Sequence, residues 1–287
     1  MTVIPAAVAG VKRIIVCTPP NKEGKVNAFT LVAAYVCNVK EVYRVGGVQA
    51  IAAMAYGTET IRAVKKIVGP GNPYVTMAKI LVSRDVLIDF PAGPTEIVIL
   101  ADEIANPKFI AYDLISQAEH GSDSIVVLVT TSEKLAESVM HEIKRVLSSV
   151  PRSEIVSKAI SDNGFVILCE TMDEAINFVN FFAPEHLEII LEEKESVVER
   201  INSAGLVLLG DYSPVALSDY CIGVSHVLPT NGFARIYSGL SVLDFVKTMC
   251  VIECNIETLE TYRNTIKVLA YGEGLLNHSS ALEVRLK

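Results

Sequence analysis

Short apolar runs alternate along this chain with stretches of helical periodicity. Residues 11–17, 41–45, 65–68 and 86–89 are brief runs rich in Val and Ile, most of them halted by glycine or proline. Runs that are apolar without strict alternation predict strands buried on both faces, as in a parallel sheet. Between them, residues 24–39, 48–56 and 72–83 carry helical periodicity. The last of these has Gly71 or Asn72 at its N-cap and Pro73 in its first turn, residues suited to a helix start. The resulting order, strand-helix repeated and closed by a strand, describes a sheet wrapped by helices.

Pro91-Ala92-Gly93-Pro94 interrupts the pattern, and a second alternation follows. Strands are predicted at 96–100, 125–129, 165–169, 186–191 and 204–209. Helices are predicted at 102–120, 132–150 and 172–182, with a charged helix before residue 204. A chain of 287 residues is long enough for two such domains. Ile256, Leu259, Tyr262, Ile266 and Leu269 then mark one amphipathic helix in a tail too small to build its own core. The expected fold class is α/β: two Rossmann-like parallel-sheet domains at 1–93 and 94–238, and a helical C-terminal tail at 239–287.

Charge and composition narrow the function classes. With 33 acidic and 25 basic residues the net charge is −8, which argues against nucleic acid as a partner. The longest apolar run, at 28–39, contains Thr30 and Asn38 and is shorter than the roughly 20 residues a bilayer span needs. The opening Met1-Thr2-Val3-Ile4-Pro5 has no basic leader pattern, so a cytoplasmic protein without a membrane partner is expected. Six cysteines are scattered without a C-x-x-C pair and are expected as mostly buried thiols of a reducing compartment. Cys250 and Cys254 would share a helix face, but two thiols are half a structural zinc site.

Five stretches carry candidate chemistry. Gln117 and His120 are three apart, so on a helix they share a face, with Gly121 where a helix end favours glycine. The bland alternative is a capped helix end with a solvated imidazole. Glu185 and His186 sit at a helix-to-strand turn and offer an acid/base pair; as neighbours they are expected to point apart and act on different atoms. Asp219 and His226 lie in a polar, glycine-containing stretch read as a loop, where they offer oxygen and nitrogen to a metal. Glu273 and His278 stand in the tail, where a lone histidine is more often surface than ligand. The turns Val45-Gly46-Gly47-Val48-Gln49 and Val68-Gly69-Pro70-Gly71-Asn72 aim backbone N–H groups at a possible anion, but neither is a G-x-G-x-x-G fingerprint.

Taken together the words are distinctive. Gly46-Gly47-Val48-Gln49-Ala50-Ile51-Ala52-Ala53, Gly69-Pro70-Gly71-Asn72, Pro91-Ala92-Gly93-Pro94-Thr95-Glu96, Ser116-Gln117-Ala118-Glu119-His120-Gly121, Pro184-Glu185-His186-Leu187, Gly210-Asp211-Tyr212-Ser213-Pro214 and His226-Val227-Leu228-Pro229-Thr230 follow one another in this order. The chain thereby resembles the histidinol dehydrogenases, which oxidise L-histidinol to L-histidine through the aldehyde with zinc and two NAD. The resemblance implies one zinc ion per subunit, held by Gln117, His120, Asp219 and His278. It implies Glu185 and His186 as the catalytic pair, and Gln49 and Asn72 as NAD contacts in residues 1–93. It implies Thr95, Gln117, His120, His186, Asp219, Glu273 and His278 as substrate contacts. It also implies a homodimer whose C-terminal tail crosses to the partner. Members of the family carry a further N-terminal segment before the residues matching Thr2-Val3-Ile4-Pro5, including an NAD-contacting Tyr-Val-Pro-Gly-Gly element. The chain is therefore expected to be a fragment, a mis-started reading frame or a reduced relative. Two rivals stand beside the dehydrogenase: a non-catalytic fragment or scaffold, and a zinc hydrolase using Glu185 and water without NAD.

Overall fold

The apolar runs of residues 1–93 form strands, but shorter ones than the pattern predicts, and they do not join into one sheet. In the computed structural model, which describes residues 1–286, helix α1 (Val3–Val8) leads to β1 (Ile15–Cys17), α2 (Ala28–Val36), β2 (Glu41–Tyr43), α3 (Gly47–Tyr56), β3 (Lys66–Ile67), α4 (Pro73–Val82) and β4 (Leu87–Ile88). β1 pairs with β2 and β3 with β4, each in parallel, giving two separate ladders. Glycine and proline stand close to most of these strand ends and leave little extended backbone to pair.

One buried ion pair organises the turn after β3. Lys79 and Asp89 are each under a tenth exposed and pair with one another. Lys79 Nζ also donates to the Gly69 carbonyl at 2.9 Å, while Asp89 Oδ2 accepts from the Gly69 N–H at 2.7 Å. The pair thus holds both sides of Gly69, whose φ of +122° favours glycine.

The second alternation builds the main sheet. Its elements are β5 (Glu96–Ala101), α5 (Pro107–Ala118), β6 (Ile125–Thr130), α6 (Glu133–Val146), α7 (Ser153–Asn163), β7 (Gly164–Leu168), α8 (Met172–Phe182), β8 (His186–Ile190), α9 (Lys194–Val198), β9 (Leu206–Leu209) and α10 (Val215–Tyr220). The strands are all parallel in the order β7-β6-β5-β8-β9. Ile97, Ile99, Leu128 and Ile190 pack with α5, α6 and α7 on one face. Val98, Leu100, Leu187 and Ile189 pack with α8 on the other. His186 and Glu188 alternate with Leu187 and Ile189, so they belong to the α5 face.

Several expectations need correction. The helix predicted over 132–150 stops at Val146, and α7 follows after Pro151 and a left-handed Arg152 (φ 54°). Asp219 lies on a helix, α10, rather than in a loop. None of the cysteines is buried: Cys17, Cys37 and Cys169 are half-buried, and Cys221, Cys250 and Cys254 are exposed. Cys250 and Cys254 precede the helix that begins at Ile256, so they share no helix face.

The chain divides into two compact units, Met1–Val246 and a second beginning at Lys247. The second holds α11 (Ile256–Gly272) and α12 (Leu276–Glu283), joined through Gly274 at φ +71°. The two helices pack together and are bridged by Arg263 and Glu283. Ile256, Tyr262 and Leu269 of the predicted stripe are exposed. No helix among the described residues is long and apolar enough to cross a membrane.

The Lys79–Asp89 pair yields a stability expectation. Lys79→Met should destabilise the first unit by about 3–5 kcal/mol, because it strands a buried carboxylate. Lys79→Met with Asp89→Asn should recover part of that loss. Urea unfolding measures both, and a loss no larger in the single variant than in the double would refute the clamp.

Candidate functional site

Pairing of β5 with β8 sets Ile97 opposite His186 and so brings the residues before each strand together. Glu185 Oε2 accepts from Thr95 Oγ1 at 2.6 Å and from the Glu96 N–H at 3.0 Å. Gln117 Nε2 donates to the same Thr95 oxygen. His186 Nδ1 lies 3.1 Å from the Glu96 carbonyl and 3.5 Å from Glu185 Oε2. A carbonyl only accepts, so Nδ1 carries a proton, and in the neutral ring Nε2 holds the lone pair. Nε2 is buried and has no partner in the protein. Glu185 and His186 therefore face each other, against the expectation that they point apart. The cause is the turn: Ala183 is left-handed (φ 56°), and the Glu185 carboxylate reaches back to the start of β5. Gly205 N and Leu206 N hold that turn through the carbonyls of Pro184 and Glu185, each at 2.9 Å. A side chain at residue 205 would meet the Glu185 carbonyl at 2.6 Å, so the turn requires glycine there.

Helix α5 delivers Gln117 in its last turn, 2% exposed, with His120 just beyond. Gly121 is not in the left-handed region; Glu119 caps the helix in right-handed geometry. Asp219 arrives from α10. The segment after α10 adds His226 and Thr230, whose hydroxyl accepts from Gly93 N. Thr95, Gln117, His120, Glu185, His186, Asp219 and His226 all line one cavity of about 320 Å³, with Gly69 and Pro70 on its wall. The cavity opens at the amino ends of β5 and β8, whereas open parallel sheets usually bind ligands at their carboxyl ends.

Other candidates lie elsewhere. Gln49 and Asn72 stand at the starts of α3 and α4, are exposed, and do not line the cavity. Asn72 Oδ1 is engaged as the cap of α4, accepting from Val75 N at 3.0 Å. Glu273 and His278 belong to the second unit, at the end of α11 and within α12.

Glu96 is a site residue that sequence reasoning missed. Its carboxyl is 2% exposed, one oxygen accepts from Asn231 N at 2.8 Å, and the other has no partner. Burial, reinforced by the charge of Glu185, pushes its pKa up to about 7. The available signal was a carboxyl opening an otherwise apolar central strand. At His186 burial works against the imidazolium, but the hydrogen bond and charge of Glu185, the Glu96 carbonyl and Asp219 outweigh it and raise the pKa.

Among the described residues no three His, Cys, Asp or Glu side chains converge as a metal centre. Gln117, His120 and Asp219 nevertheless present an amide, an imidazole and a carboxylate to one cavity.

The site is thus a buried carboxylate–imidazole pair beside one cavity of a parallel α/β sheet. The comparisons give the family. The histidinol dehydrogenase family model matches residues 1–286. A histidinol dehydrogenase of Methanosarcina mazei is 49% identical over 99% of this chain and 66% of its own length. One from Bacteroides fragilis is 50% identical over the whole chain and 67% of its own length. The crystal structure of histidinol dehydrogenase from Elizabethkingia anophelis superposes with a TM-score of 0.96 at 42% identity, covering all of this chain and 66% of that one. The chain belongs to the histidinol dehydrogenase family and spans about 66% of the length of the first of these relatives.

Glu96 predicts a pH dependence. Its carboxyl holds a proton more tightly folded than unfolded, so its contribution to stability is full below about pH 4.5 and is lost as pH rises through about 7. The loss is about 3 kcal/mol at roughly 1.4 kcal/mol per pKa unit. Glu96→Gln keeps an acceptor for Asn231 and should flatten the profile over this range. Urea unfolding at several pH values tests this; a variant with the parental slope would refute it.

Proposed function

We propose that the protein carrying this chain is a cytoplasmic enzyme that oxidises L-histidinol to L-histidine through histidinal, with NAD and one zinc ion per subunit. This is the last step of histidine biosynthesis. The observation that carries the reading is the buried His186 on the cavity lining, its Nδ1 tied to the Glu96 carbonyl and its buried Nε2 without a partner in the protein.

His186 takes the alcohol proton on Nε2, and the Glu96 carbonyl and Glu185 carboxylate support the imidazolium so formed. Glu185, oriented by Thr95 and the Glu96 N–H, activates the water that attacks the aldehyde. His186 then serves again as base for the second oxidation. Thr95 contacts substrate at the cavity wall. The donor set fits zinc: Gln117, His120 and Asp219 line the cavity, and His278 is the fourth ligand assigned by family resemblance. Zinc when bound is a Lewis acid that anchors the imidazole and amine of the substrate. NAD is the hydride acceptor, with Gln49 and Asn72 as its contacts.

In this reading residues 1–93 form a Rossmann-like NAD-binding domain, 94–238 a second α/β domain carrying the metal and catalytic residues, and 239–287 a tail exchanged within a homodimer. The tail brings Glu273 and His278 to the partner's substrate and metal. The exposed Ile256, Tyr262 and Leu269 support an apolar face that needs cover.

Histidinol with NAD should yield NADH, which a hydrolase or a scaffold would not produce. His186→Gln should slow that reaction at least about a hundredfold with zinc retained; lost zinc would count against its role as base. Glu185→Gln should slow oxidation of histidinal more than that of histidinol, and equal losses would refute the division of labour.

Mixing Asp219→Ala with His278→Ala tests the exchanged tail. Activity should return on subunit exchange, to about half that of a parental dimer, because one site per heterodimer then lacks both defects. No recovery after demonstrated exchange would place both residues in a site formed by one chain.

A further inference from the structure

Asp113, Glu188 and the N–H of Val215 meet one step behind the cavity. Glu188 is 2% exposed. Its Oε1 accepts from Val215 N, the first residue of α10, at 2.9 Å. Its Oε2 is buried and receives no N–H or hydroxyl donor. The carboxyl of Asp113, on α5, faces it within hydrogen-bonding reach. Two carboxylates have no hydrogen to share, whereas one proton between them satisfies both oxygens. Burial and then the charge of Asp113 raise the Glu188 pKa. Burial also raises that of Asp113, opposed by its hydrogen bond with Glu188.

The spacing ties this cluster to the site. Asp113 lies four residues before Gln117 on α5. Val215 lies four before Asp219 on α10. Glu188 lies two after His186 on β8, which runs opposite to α5. Four residues of helix advance about 6 Å, and two of strand about 6.6 Å. Three steps of nearly equal length therefore lead from one buried hydrogen-bonded cluster to three cavity residues on three separate elements.

We propose that Asp113 and Glu188 share one proton and form a positioning pair that holds Gln117, His186 and Asp219 at a common level in the cavity. The effect on zinc rests on the ligand roles proposed above; the shared proton and the placement of His186 do not.

The test compares Glu188→Gln, which keeps an acceptor for Val215 and a donor for Asp113, with Glu188→Leu, which keeps bulk and loses both. A third variant, Val215→Pro, removes the N–H at a first helical position where proline is tolerated, and Val215→Ala controls for the buried side chain that it also replaces. Zinc affinity of the whole protein is measured by competition with a chromophoric chelator. Glu188→Gln should stay within about twofold of the parent, and Glu188→Leu and Val215→Pro should each weaken zinc at least about tenfold. Equal affinity in Glu188→Gln and Val215→Pro, whether parental or reduced, overturns the positioning role even where Glu188→Leu fails to fold. Infrared spectra in heavy water read the proton directly. The parent-minus-Glu188→Gln difference should contain the C=O band of a buried protonated carboxyl, and its absence overturns the shared proton. If the parent itself takes up no zinc, the metal reading fails instead, and placement is read from the His186 ring-nitrogen resonances. These should move in Val215→Pro and not in Glu188→Gln; identical spectra in the two variants overturn the pair.

Discussion

The parallel pairing of β5 with β8 is the constraint on which the site depends. Its register sets Ile97 against His186 and Ile99 against Glu188. Side chains alternate along a strand, so a slip of one residue would turn His186 and Glu188 toward the apolar α8 face. The register is held by β5, whose six residues are all buried. It is also held at its end, where Glu185 bonds Thr95 and the Glu96 N–H. The same hydrogen bonds that lock the strand start therefore orient the carboxylate of the candidate pair.

The location of the cavity has an electrostatic consequence. Because it lies at the amino ends of the strands, α5 directs its carboxyl end there, and α10 brings Asp219 in its last turn. A helix carboxyl end carries partial negative charge. Glu185 and Asp219 add to it, and Glu96 is driven toward its neutral form by burial beside them. The cavity thus favours cationic groups, which accounts for the raised pKa of His186 despite its burial. A cation bound at Asp219 would offset one of the charges that hold the imidazolium.

Much of the main sheet was legible because its strands are continuous apolar runs and its helices carry caps. Asn106, Ser132 and Thr171 each cap a helix through a side-chain oxygen. Other features were not legible. The helix carrying Asp219 is six residues long and lies in a stretch whose glycine and serine content reads as loop. The four short strands of residues 1–93 were legible as strands, but their division into two ladders was not, since partner choice has no local signature.

By itself the sequence determined the succession of strands and most of the helices between them, the residue types of the site and, through seven words in one order, the family. These are properties of spacing and composition along the chain. Only the tertiary structure decided which residues meet. Glu185 and His186 face each other because a left-handed Ala183 and the pull of β5 turn one carboxylate back, against the rule for neighbours in extended chain. Glu96 and the Asp113–Glu188 pair read as ordinary charged positions until burial removes water from them. Desolvation depends on what packs around a group, and that is set by contacts between residues far apart in the chain.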